Sequence, residues 1–345
     1  MARKTLSMIC ILVLICGLAV SSGGAAKLKI GMVFDIGGKG DQSFNDSAYR
    51  GLQWASTLDI SHVEIEPGAD ADRETGVRML ASQGFNLVFG VGFLFTDAIK
   101  AVADDFPNTK FAIIDGFIPD KPNVSSMLFT EHEGSFLVGV IAGMKAKADG
   151  KDTLGFVGGM DVPLIHKFEA GFKAGVQNAC PECKLLSDYA GTTPSAFADP
   201  VKGKELALAQ IDRGAYVIYH ASGLTGAGVY EAGKERKAYV IGVDSNQNHL
   251  GHDKETGKNY GLTSMLKQVD VAVYLTVKDL SEGKFNAGVR IFGLGDTVQI
   301  EGQTYHGVYY ALDDYNKDLV SPDIIEKVTE AEKKILSGAI KVPEK

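Results

Sequence analysis

Two aspartates stand directly after apolar runs, where a carboxylate can reach a bound molecule. Asp115 follows Ile113–Ile114, and Asp244 follows Ile241–Val243. An ionised carboxylate accepts several hydrogen bonds, which suits the N–H and O–H groups of a small polar ligand. Short carboxylates also cap the first turn of a following helix. We predict a ligand role for both aspartates and keep helix capping as the alternative.

Two glycine-rich turns resemble phosphate-binding loops but miss their motifs. Residues 35–45 lack the third glycine of G-x-G-x-x-G and a G-K-[ST] ending, and residues 222–228 space their glycines differently. We expect their backbone N–H groups to approach a neutral polar ligand. In the first turn, Asp41 and Ser43 are predicted to cap the next helix. Phe44 follows, and it either packs at the helix start or stacks on a flat ligand.

The polar residues do not assemble a known catalytic motif. The sequence contains neither a G-x-S-x-G elbow nor an H-E-x-x-H motif. A nucleoside hydrolase would need several aspartates in the first strand-loop to hold calcium, and only Asp35 and Asp41 are there. We therefore expect a binding protein rather than an enzyme, with no cofactor and no metal.

These residues are positioned by alternating strands and helices. From Lys27 onward, short β-branched runs alternate with stretches of 3.6-residue periodicity, which predicts parallel sheets covered by helices on both faces. The polar residues 149–152 interrupt the pattern and a second series follows, so two similar α/β lobes are expected. Strands are predicted at 28–35, 62–66, 87–92, 110–115 and 124–129 in the first series, and at 153–157, 184–189, 216–221, 239–243 and 261–265 in the second.

Parallel sheets bind ligands beyond the carboxyl ends of their strands. The polar and aromatic residues that end the predicted strands are therefore candidate ligand contacts. If the two lobes face each other, one cleft collects Asp35, Phe93, Asp115, Met160, His220 and Asp244.

The composition disfavours some partners. The 345 residues are 45% apolar and 23% charged, as in ordinary globular proteins, and the length suggests two domains. A formal charge of −8 is unsuited to neutralising phosphates, so we expect no nucleic-acid partner. After the N-terminal apolar run, no long apolar stretch follows, so the mature protein is not expected to span a membrane.

The N-terminus has the layout of a secretory signal peptide. Two basic residues precede the apolar run Met8–Val20, and small residues occupy 21–26. The run is shorter than the ~20 residues of a membrane-spanning helix. We predict that residues 1–26 are removed by cleavage after Ala26 and that the mature protein is exported.

Cys10 and Cys16 raise the alternative of a lipid anchor. A lipidation site needs a small residue before the cysteine, whereas Ile9 and Ile15 stand there. Both cysteines also lie far inside the apolar run. We therefore expect a soluble periplasmic protein, with peripheral association at the inner membrane as the alternative.

Cys180 and Cys183 remain after cleavage, and export favours a disulfide between them. A structural zinc site needs about four ligands, whereas His166 stands alone nearby. A redox-active Cys-x-x-Cys normally opens a helix, whereas this pair follows a helical run. We predict a structural disulfide.

Ordered blocks of the sequence resemble the basic membrane protein family of ABC-transporter substrate-binding proteins, which includes purine nucleoside receptors. The resemblance spans essentially the whole chain after the signal peptide. The blocks read FDIGG at 34–38, DQSFN at 41–45, FAIIDG at 111–116, EHEGSFLVG at 131–139, GFVGGM at 155–160 and IGVDSNQ at 241–247.

The resemblance implies a type I periplasmic binding protein, in which two Rossmann-like lobes with parallel sheets are joined by a three-segment hinge and close on a ligand. Hinge segments are expected near residues 130–132, 262–265 and 289–294. The N-terminal lobe would comprise residues 27–131 plus 265–290, and the C-terminal lobe residues 132–264 plus 291–345.

The resemblance also implies roles for particular residues. In nucleoside-binding members, aromatic side chains sandwich a purine, and carboxylates and a lysine hold the base and the ribose. By motif position, these roles fall on Phe44 for stacking, Asp115 for the base, and Asp244 with Lys267 for the ribose. Gly226 would approach the sugar through its backbone.

Residues 219–226 depart from the family pattern, because Ser222 and Leu224 replace small residues. The second stacking residue is therefore open between Tyr219 and His220. Strand alternation points these two side chains to opposite faces, so only one can meet the ligand. We favour His220, the later of the two.

Two functions fit these observations. The first is an exported receptor that captures a nucleoside, expected to be a purine nucleoside, and delivers it to an ABC permease with its ATPase. The second is an exported sensor subunit that binds a nucleoside or sugar-like molecule without transport. We expect the protein to be a monomer.

Overall fold

The computed structural model describes residues 27–68 and 72–345. The predicted signal peptide at residues 1–26 lies outside these residues. Within the described ranges, the chain forms two α/β lobes, each built on a six-stranded sheet. The helices of these ranges are too short or too polar to cross a bilayer.

The first lobe is a parallel sheet covered on both faces. Its helices α1 (Phe44–Ala55) and α8 (Val269–Ser281) cover one face, and α2 (Asp72–Ser82) and α3 (Thr96–Ala103) cover the other. Burial on both faces explains why its central strands read as continuous apolar runs. From edge to edge the strands are β11 (Gly288–Phe292), β5 (Val124–Phe129), β4 (Lys110–Ile114), β3 (Leu87–Gly90), β1 (Leu28–Val33) and β2 (Ile60–Ile65).

The second lobe repeats this plan, with one antiparallel strand at its edge. From edge to edge the strands are β14 (Val308–Tyr310), β10 (Gly261–Lys267), β9 (Tyr239–Asp244), β8 (Val217–Ala221), β6 (Thr153–Met160) and β7 (Lys184–Gly191). The helices are α4 (Glu131–Ala148), α5 (Pro163–Ala179) and α9 (Pro322–Leu336) on one face, and α6 (Pro200–Asp212) and α7 (Gly226–Arg236) on the other. The ten strands predicted from the sequence are all present.

Helices α4 and α5 approach each other closely enough to require glycine. A Cβ atom at Gly171 would lie 2.2 Å from the His132 carbonyl oxygen, and one at Gly175 would lie 2.1 Å from the Phe136 carbonyl oxygen. Only glycine permits such backbone contact. The contact fixes the first turns of α4 against α5.

The chain crosses between the lobes at three places, and hydrogen bonds join the three crossing segments. Thr130 N, after β5, donates to the Phe292 carbonyl at 3.1 Å. Gln268 N, after β10, donates to the Gly307 carbonyl at 3.1 Å, in the segment that follows β11. The three crossings therefore form one connected hinge region.

Two of the expected lobe boundaries require correction. Strand β10 stays in the second sheet up to Lys267, which pairs with Val308. Strand β11 stays in the first sheet up to Phe292, which pairs with Phe129. The boundaries expected at 264/265 and 290/291 thus fall inside strands, and we place them at the ends of those strands instead.

A hairpin that the sequence did not predict follows the third crossing. Strands β12 (Thr297–Ile300) and β13 (Gln303–His306) pair with each other in antiparallel fashion. Tyr305 packs against Trp54 of α1, with ring centroids 5.2 Å apart. The residues of the two strands are almost all exposed or half-buried and form no apolar run, so their sequence carries no strong strand signal.

Cys180 and Cys183 form a disulfide, with Cα atoms 5.3 Å apart. The bond closes the short turn between α5 and β7, and both residues are buried. The prediction of a structural disulfide is confirmed.

Candidate ligand-binding site

A pocket lies where the carboxyl ends of the two sheets face each other. Its volume is about 580 Å³, including the space at its mouth. Side chains from both lobes and from the second crossing contribute to its lining. Of the nine residues predicted to contact a ligand, six line it: Asp35, Phe44, Phe93, Asp115, Asp244 and Lys267.

The glycine-rich turn before α1 holds one wall of the pocket. Asp41 accepts hydrogen bonds from the backbone N–H groups of Ser43, Asn45 and Asp46 at 2.9, 2.8 and 3.1 Å. It therefore caps α1 as predicted. Ser43 makes no side-chain cap hydrogen bond and instead donates to Asp244 Oδ2 across the cleft at 2.6 Å. The capping prediction is wrong for Ser43, because its hydroxyl faces the other lobe.

Asp115 and Lys267 form a buried ion pair at the back of the pocket. Lys267 Nζ lies 2.5 Å from Asp115 Oδ2, and both side chains are at most 4% exposed. The other carboxylate oxygen, Asp115 Oδ1, is buried and accepts no hydrogen bond from the described residues. A buried acceptor without a partner is costly. Asp115 Oδ1 is therefore available to a ligand N–H or O–H group.

Aromatic rings surround the Lys267 ammonium. Nζ lies 5.2, 5.0 and 5.5 Å from the ring centroids of Phe44, Phe129 and Phe168. Burial disfavours the charged lysine, but Asp115 and Glu131 oppose this effect and raise its pKa above the ordinary value. Lys267 is therefore a charged hydrogen-bond donor in an apolar setting, where its interactions are strengthened.

Asp115 and Asp244 share an uncommon backbone conformation. Both have φ of 64°, a region in which aspartate is one of the few tolerated side chains. Each residue comes at the end of its strand and turns its carboxylate into the pocket lining. Neither carboxylate accepts a helix N–H group among the described residues, so the capping alternative is not supported.

Asp244 and Asp35 are buried acids whose pKa values are raised. Burial raises the pKa of Asp244 to about 6, although Lys267 and the Ser43 hydrogen bond favour its charged form. Burial likewise raises the pKa of Asp35 to about 6, although the Ile36 backbone N–H and Arg73 favour the carboxylate. At neutral pH both acids are mainly ionised hydrogen-bond acceptors.

Gly92 makes room for Asp35. Its φ is 108°, and a Cβ atom there would lie 2.3 Å from Asp35 Oδ2. A side chain at this position would be strained and would displace the carboxylate.

Aromatic side chains line the pocket from both lobes. Phe44 and Phe93 belong to the first lobe, and Phe168 and Phe197 belong to the second. The second pair was not predicted from the sequence. Phe168 lies on α5 and not at a strand end. The one sequence feature that points to it is its spacing of four residues from Leu164, which places both side chains on the same helix face, and Leu164 also lines the pocket. Phe197 ends the short 3-10 helix after β7.

Three of the predicted contacts lie outside the pocket. Met160 ends β6, is buried, and is not among the lining residues. The His220 ring packs against α7, where a Cβ atom at Gly226 would lie 2.0 Å from His220 Cε1. Gly226 is therefore a packing glycine rather than a lining residue. Burial lowers the pKa of His220 to about 4.

Neither candidate for the second stacking residue reaches the pocket. Tyr219 points to the opposite face from His220, as predicted, and its hydroxyl lies 3.1 Å from Ser135 Oγ of α4. The choice of His220 is wrong, because its ring is buried against Gly226 and Tyr230 of α7 instead of lining the pocket. The pocket is lined instead by Ala221, Ser222 and Gly223.

The described residues hold no group of three or more His, Cys, Asp or Glu side chains arranged for a metal ion. The pocket instead combines flat aromatic walls with carboxylate acceptors and one ammonium donor. Two α/β lobes joined by three segments around such a pocket define a type I solute-binding protein.

Comparison with known protein families identifies the family of solute-binding proteins to which the chain belongs. Residues 27–345 match the family described as ABC transporter substrate-binding protein PnrA-like. The chain belongs to this family, the Bmp family, and so is a substrate-binding protein of an ABC transporter rather than an enzyme.

Relatives span nearly the whole chain. An ABC transporter nucleoside-binding protein, BmpA, of Lactococcus lactis is 34% identical over 92% of this chain and 90% of its own length. A CD4+ T-cell-stimulating antigen of Listeria monocytogenes is 36% identical over 92% of this chain and 88% of its own. An uncharacterised lipoprotein of Pyrococcus abyssi is 32% identical over 92% of this chain and 84% of its own.

Solved structures agree on the fold. A solute-binding protein of an ABC transporter system from Aeropyrum pernix superposes with a TM-score of 0.77 at 30% identity, covering 92% of this chain and 94% of that chain. A second such protein, from Conexibacter woesei, gives a TM-score of 0.70 at 21% identity, covering 92% and 99%.

Proposed function

We propose that this protein captures a nucleoside, in particular a purine nucleoside, between its two lobes and delivers it to the permease and ATPase of an ABC importer. Family membership supplies the transporter class. The ligand class rests on the pocket, and the nucleoside-binding relative from Lactococcus lactis supports it.

One observation carries the ligand assignment. Asp115 Oδ1 is buried without a protein partner in a pocket lined by phenylalanines from both lobes. A flat ring with an N–H at its edge satisfies both features, because it stacks between aromatic walls while donating to the carboxylate. Purine bases have this combination.

Asp244 and Lys267 offer the hydrogen-bonding groups that a ribose hydroxyl needs. Asp244 is an acceptor and Lys267 a donor, and both line the same pocket as Asp115. A ribose hydroxyl donates to the first and accepts from the second. Since the pocket has no unpaired cluster of basic side chains among its lining residues, a phosphorylated ligand is disfavoured relative to a neutral nucleoside.

Binding assays test this function directly. The protein is unfolded, refolded to remove co-purified ligand, and titrated in a calorimeter with purine nucleosides, pyrimidine nucleosides, free bases and sugars. Purine nucleosides are expected to bind most tightly. Tight binding of a sugar with no response to any nucleoside would overturn the ligand class.

Delivery to a permease needs a separate test. Uptake of labelled nucleoside is compared in cells with and without the gene, which is provided again on a plasmid as the control. Restored uptake supports the importer. Binding without any effect on uptake would favour the sensor function instead.

We also propose that the mature protein is exported to the periplasm as a monomer. The signal peptide pattern supports export, and the residues before Cys10 and Cys16 disfavour a lipid. Several relatives are named lipoproteins, so the two outcomes must be distinguished for this chain. The intact mass of the exported protein is expected to match residues 27–345, and an added acyl mass would contradict the proposed cleavage after Ala26.

A further inference from the structure

A buried glutamate lies behind the pocket, at the hinge. Glu131 is the first residue of α4 and directly follows the first crossing between the lobes. It is 1% exposed and is not among the lining residues, so it does not touch a ligand in the pocket.

Glu131 shares Lys267 with Asp115. Its Oε1 lies 3.4 Å from Lys267 Nζ, while Asp115 Oδ2 lies 2.5 Å from the same nitrogen. The three groups come from three separate segments: the loop after β4, the first crossing and the second crossing. An ion triad of this kind couples the pocket directly to two of the three hinge segments.

We propose that Glu131 is a positioning residue that holds the Lys267 ammonium at the pocket wall and couples ligand binding to the hinge. This inference rests on the proposed function, since it concerns the same pocket and its ligand.

The electrostatic surroundings support a role beyond packing. A buried carboxylate oxygen without a hydrogen-bond partner is uncommon, and Glu131 Oε2 accepts no hydrogen bond from the described residues. The charged and titratable groups that face Glu131 are Lys267 on β10, Asp115 after β4, Lys167 on α5 and Tyr219 on β8. Lys267 and Lys167 favour the charge of Glu131, whereas its burial and the nearby Asp115 disfavour it.

Glu131 consequently titrates near neutral pH. Burial raises the pKa of Glu131 to about 7, with Asp115 adding to the rise and Lys267 opposing it. The ionised form, present above this pKa, holds Lys267 between two carboxylates. In the protonated form below it, Asp115 alone attracts the ammonium. Ligand affinity is therefore expected to strengthen as the pH rises through about 7.

The substitution Glu131→Gln tests this directly, because it keeps the shape of the side chain and removes the titrating charge. Nucleoside affinity is measured by calorimetry between about pH 6.5 and about pH 8.5, an interval above the pKa of about 6 of Asp35 and Asp244, so that both acids are already mainly ionised. In the native protein, the affinity is expected to rise several-fold across this interval. In Glu131→Gln, it is expected to stay at the low-pH value.

Glu133→Gln is the matched control. Glu133 lies two residues along α4 and binds the hinge through the Leu294 N–H at 3.2 Å, without contacting Lys267. This variant is expected to keep the pH dependence of the native protein. If Glu131→Gln fails to fold, as judged by its melting curve, Glu131→Asp replaces it, and the shorter acid is expected to shift the pH midpoint.

The outcomes separate the two proposals. Nucleoside binding with the same pH profile in the native protein and in Glu131→Gln overturns the role of Glu131 while leaving the proposed function intact. Absence of nucleoside binding by the native protein at every pH overturns the proposed function. Nucleoside affinity that depends on pH in the native protein but not in Glu131→Gln supports both proposals.

Discussion

At the residue scale, the site depends on side chains whose surroundings differ although their types are alike. Both carboxylate oxygens of Asp41 accept hydrogen bonds from backbone N–H groups at the start of α1, whereas one carboxylate oxygen of Asp115 has no partner among the described residues. Asp244 is bound by Ser43 of the opposite lobe. Three aspartates thus serve as a helix cap, a proposed ligand acceptor and a contact between the lobes.

Asp115→Ala and Asp244→Ala are expected to lower nucleoside affinity in different ways. Each hydrogen bond to a charged group contributes about 1.5–3 kcal/mol, and about 1.4 kcal/mol corresponds to a tenfold change. Asp115→Ala should weaken a nucleoside and its free base alike. Asp244→Ala should weaken the nucleoside about tenfold or more and the free base much less. Calorimetry with both ligands measures the difference, and unchanged affinities in both variants would reject the site.

The raised pKa of Asp244 predicts a pH-dependent stability. Because its folded-state pKa is about 6 against an ordinary 3.8, the folded state binds the proton more tightly, and stability is lost as the pH rises through this interval. Asp244→Asn should remove this loss, which amounts to at most about 3 kcal/mol. Urea unfolding at about pH 4 and about pH 7 measures it. The exposed Asp314→Asn is the control, and an equal pH response in both variants would contradict the burial argument.

At the element scale, short connections set the geometry of the pocket. The glycine contacts between α4 and α5 hold Phe168 in position, and the turn of residues 35–45 brings Phe44 to the opposite wall. The disulfide between Cys180 and Cys183 closes the far end of α5. It is remote from the lining residues, so it contributes to stability rather than to binding.

Replacing both cysteines by serine is expected to lower stability modestly and to leave ligand affinity unchanged. A loop of about four residues gives a stabilisation of about 2 kcal/mol from chain entropy. Urea unfolding of the oxidised protein and of the double variant measures the difference. Loss of nucleoside binding in a folded double variant would show that the turn supports the pocket after all.

At the scale of the whole molecule, the two lobes touch directly across the cleft. Ser245 Oγ donates to the Ser43 carbonyl at 3.0 Å, and Gln247 Nε2 donates to the Gln42 carbonyl at 2.9 Å. These bonds lie outside the pocket lining and join the lobes without help from a ligand. They favour the closed arrangement, so closure and ligand affinity are linked.

Ser245→Ala is expected to weaken nucleoside binding about fivefold or more, since the neutral hydrogen bond to Ser43 contributes about 1 kcal/mol and the variant also loses the hydrogen bond that Ser245 Oγ accepts from Arg50 of the first lobe. The loss should appear as faster dissociation. Small-angle scattering should give a larger radius for the ligand-free variant than for the ligand-free native protein. Ser281→Ala, on the exposed end of α8, is the control. An unaltered dissociation rate in Ser245→Ala would mean that these contacts do not govern closure.

The sequence by itself determined the alternation of strands and helices, the two-lobe plan, the disulfide pair and the six strand-end and motif residues that meet in one pocket. Local periodicity and the convergence of parallel strands at their carboxyl ends suffice for the lobes and the strand-end residues. The ligand roles of Phe44 and Lys267 came instead from the resemblance to a known family, and the disulfide came from the predicted export. It also identified the family through ordered blocks that the match over residues 27–345 bears out.

Only the tertiary structure decided which side chains near those strand ends face the cleft. Phe168 reaches the pocket because α5 packs on α4, and His220 misses it because its ring packs against Gly226 and Tyr230 of α7. The burial of Glu131 beside Lys267 likewise depends on two crossings that are more than a hundred residues apart meeting at the hinge. Side-chain direction at a strand end changes with a shift of one residue, and contacts between distant segments have no local signal, so neither can be obtained from sequence pattern alone.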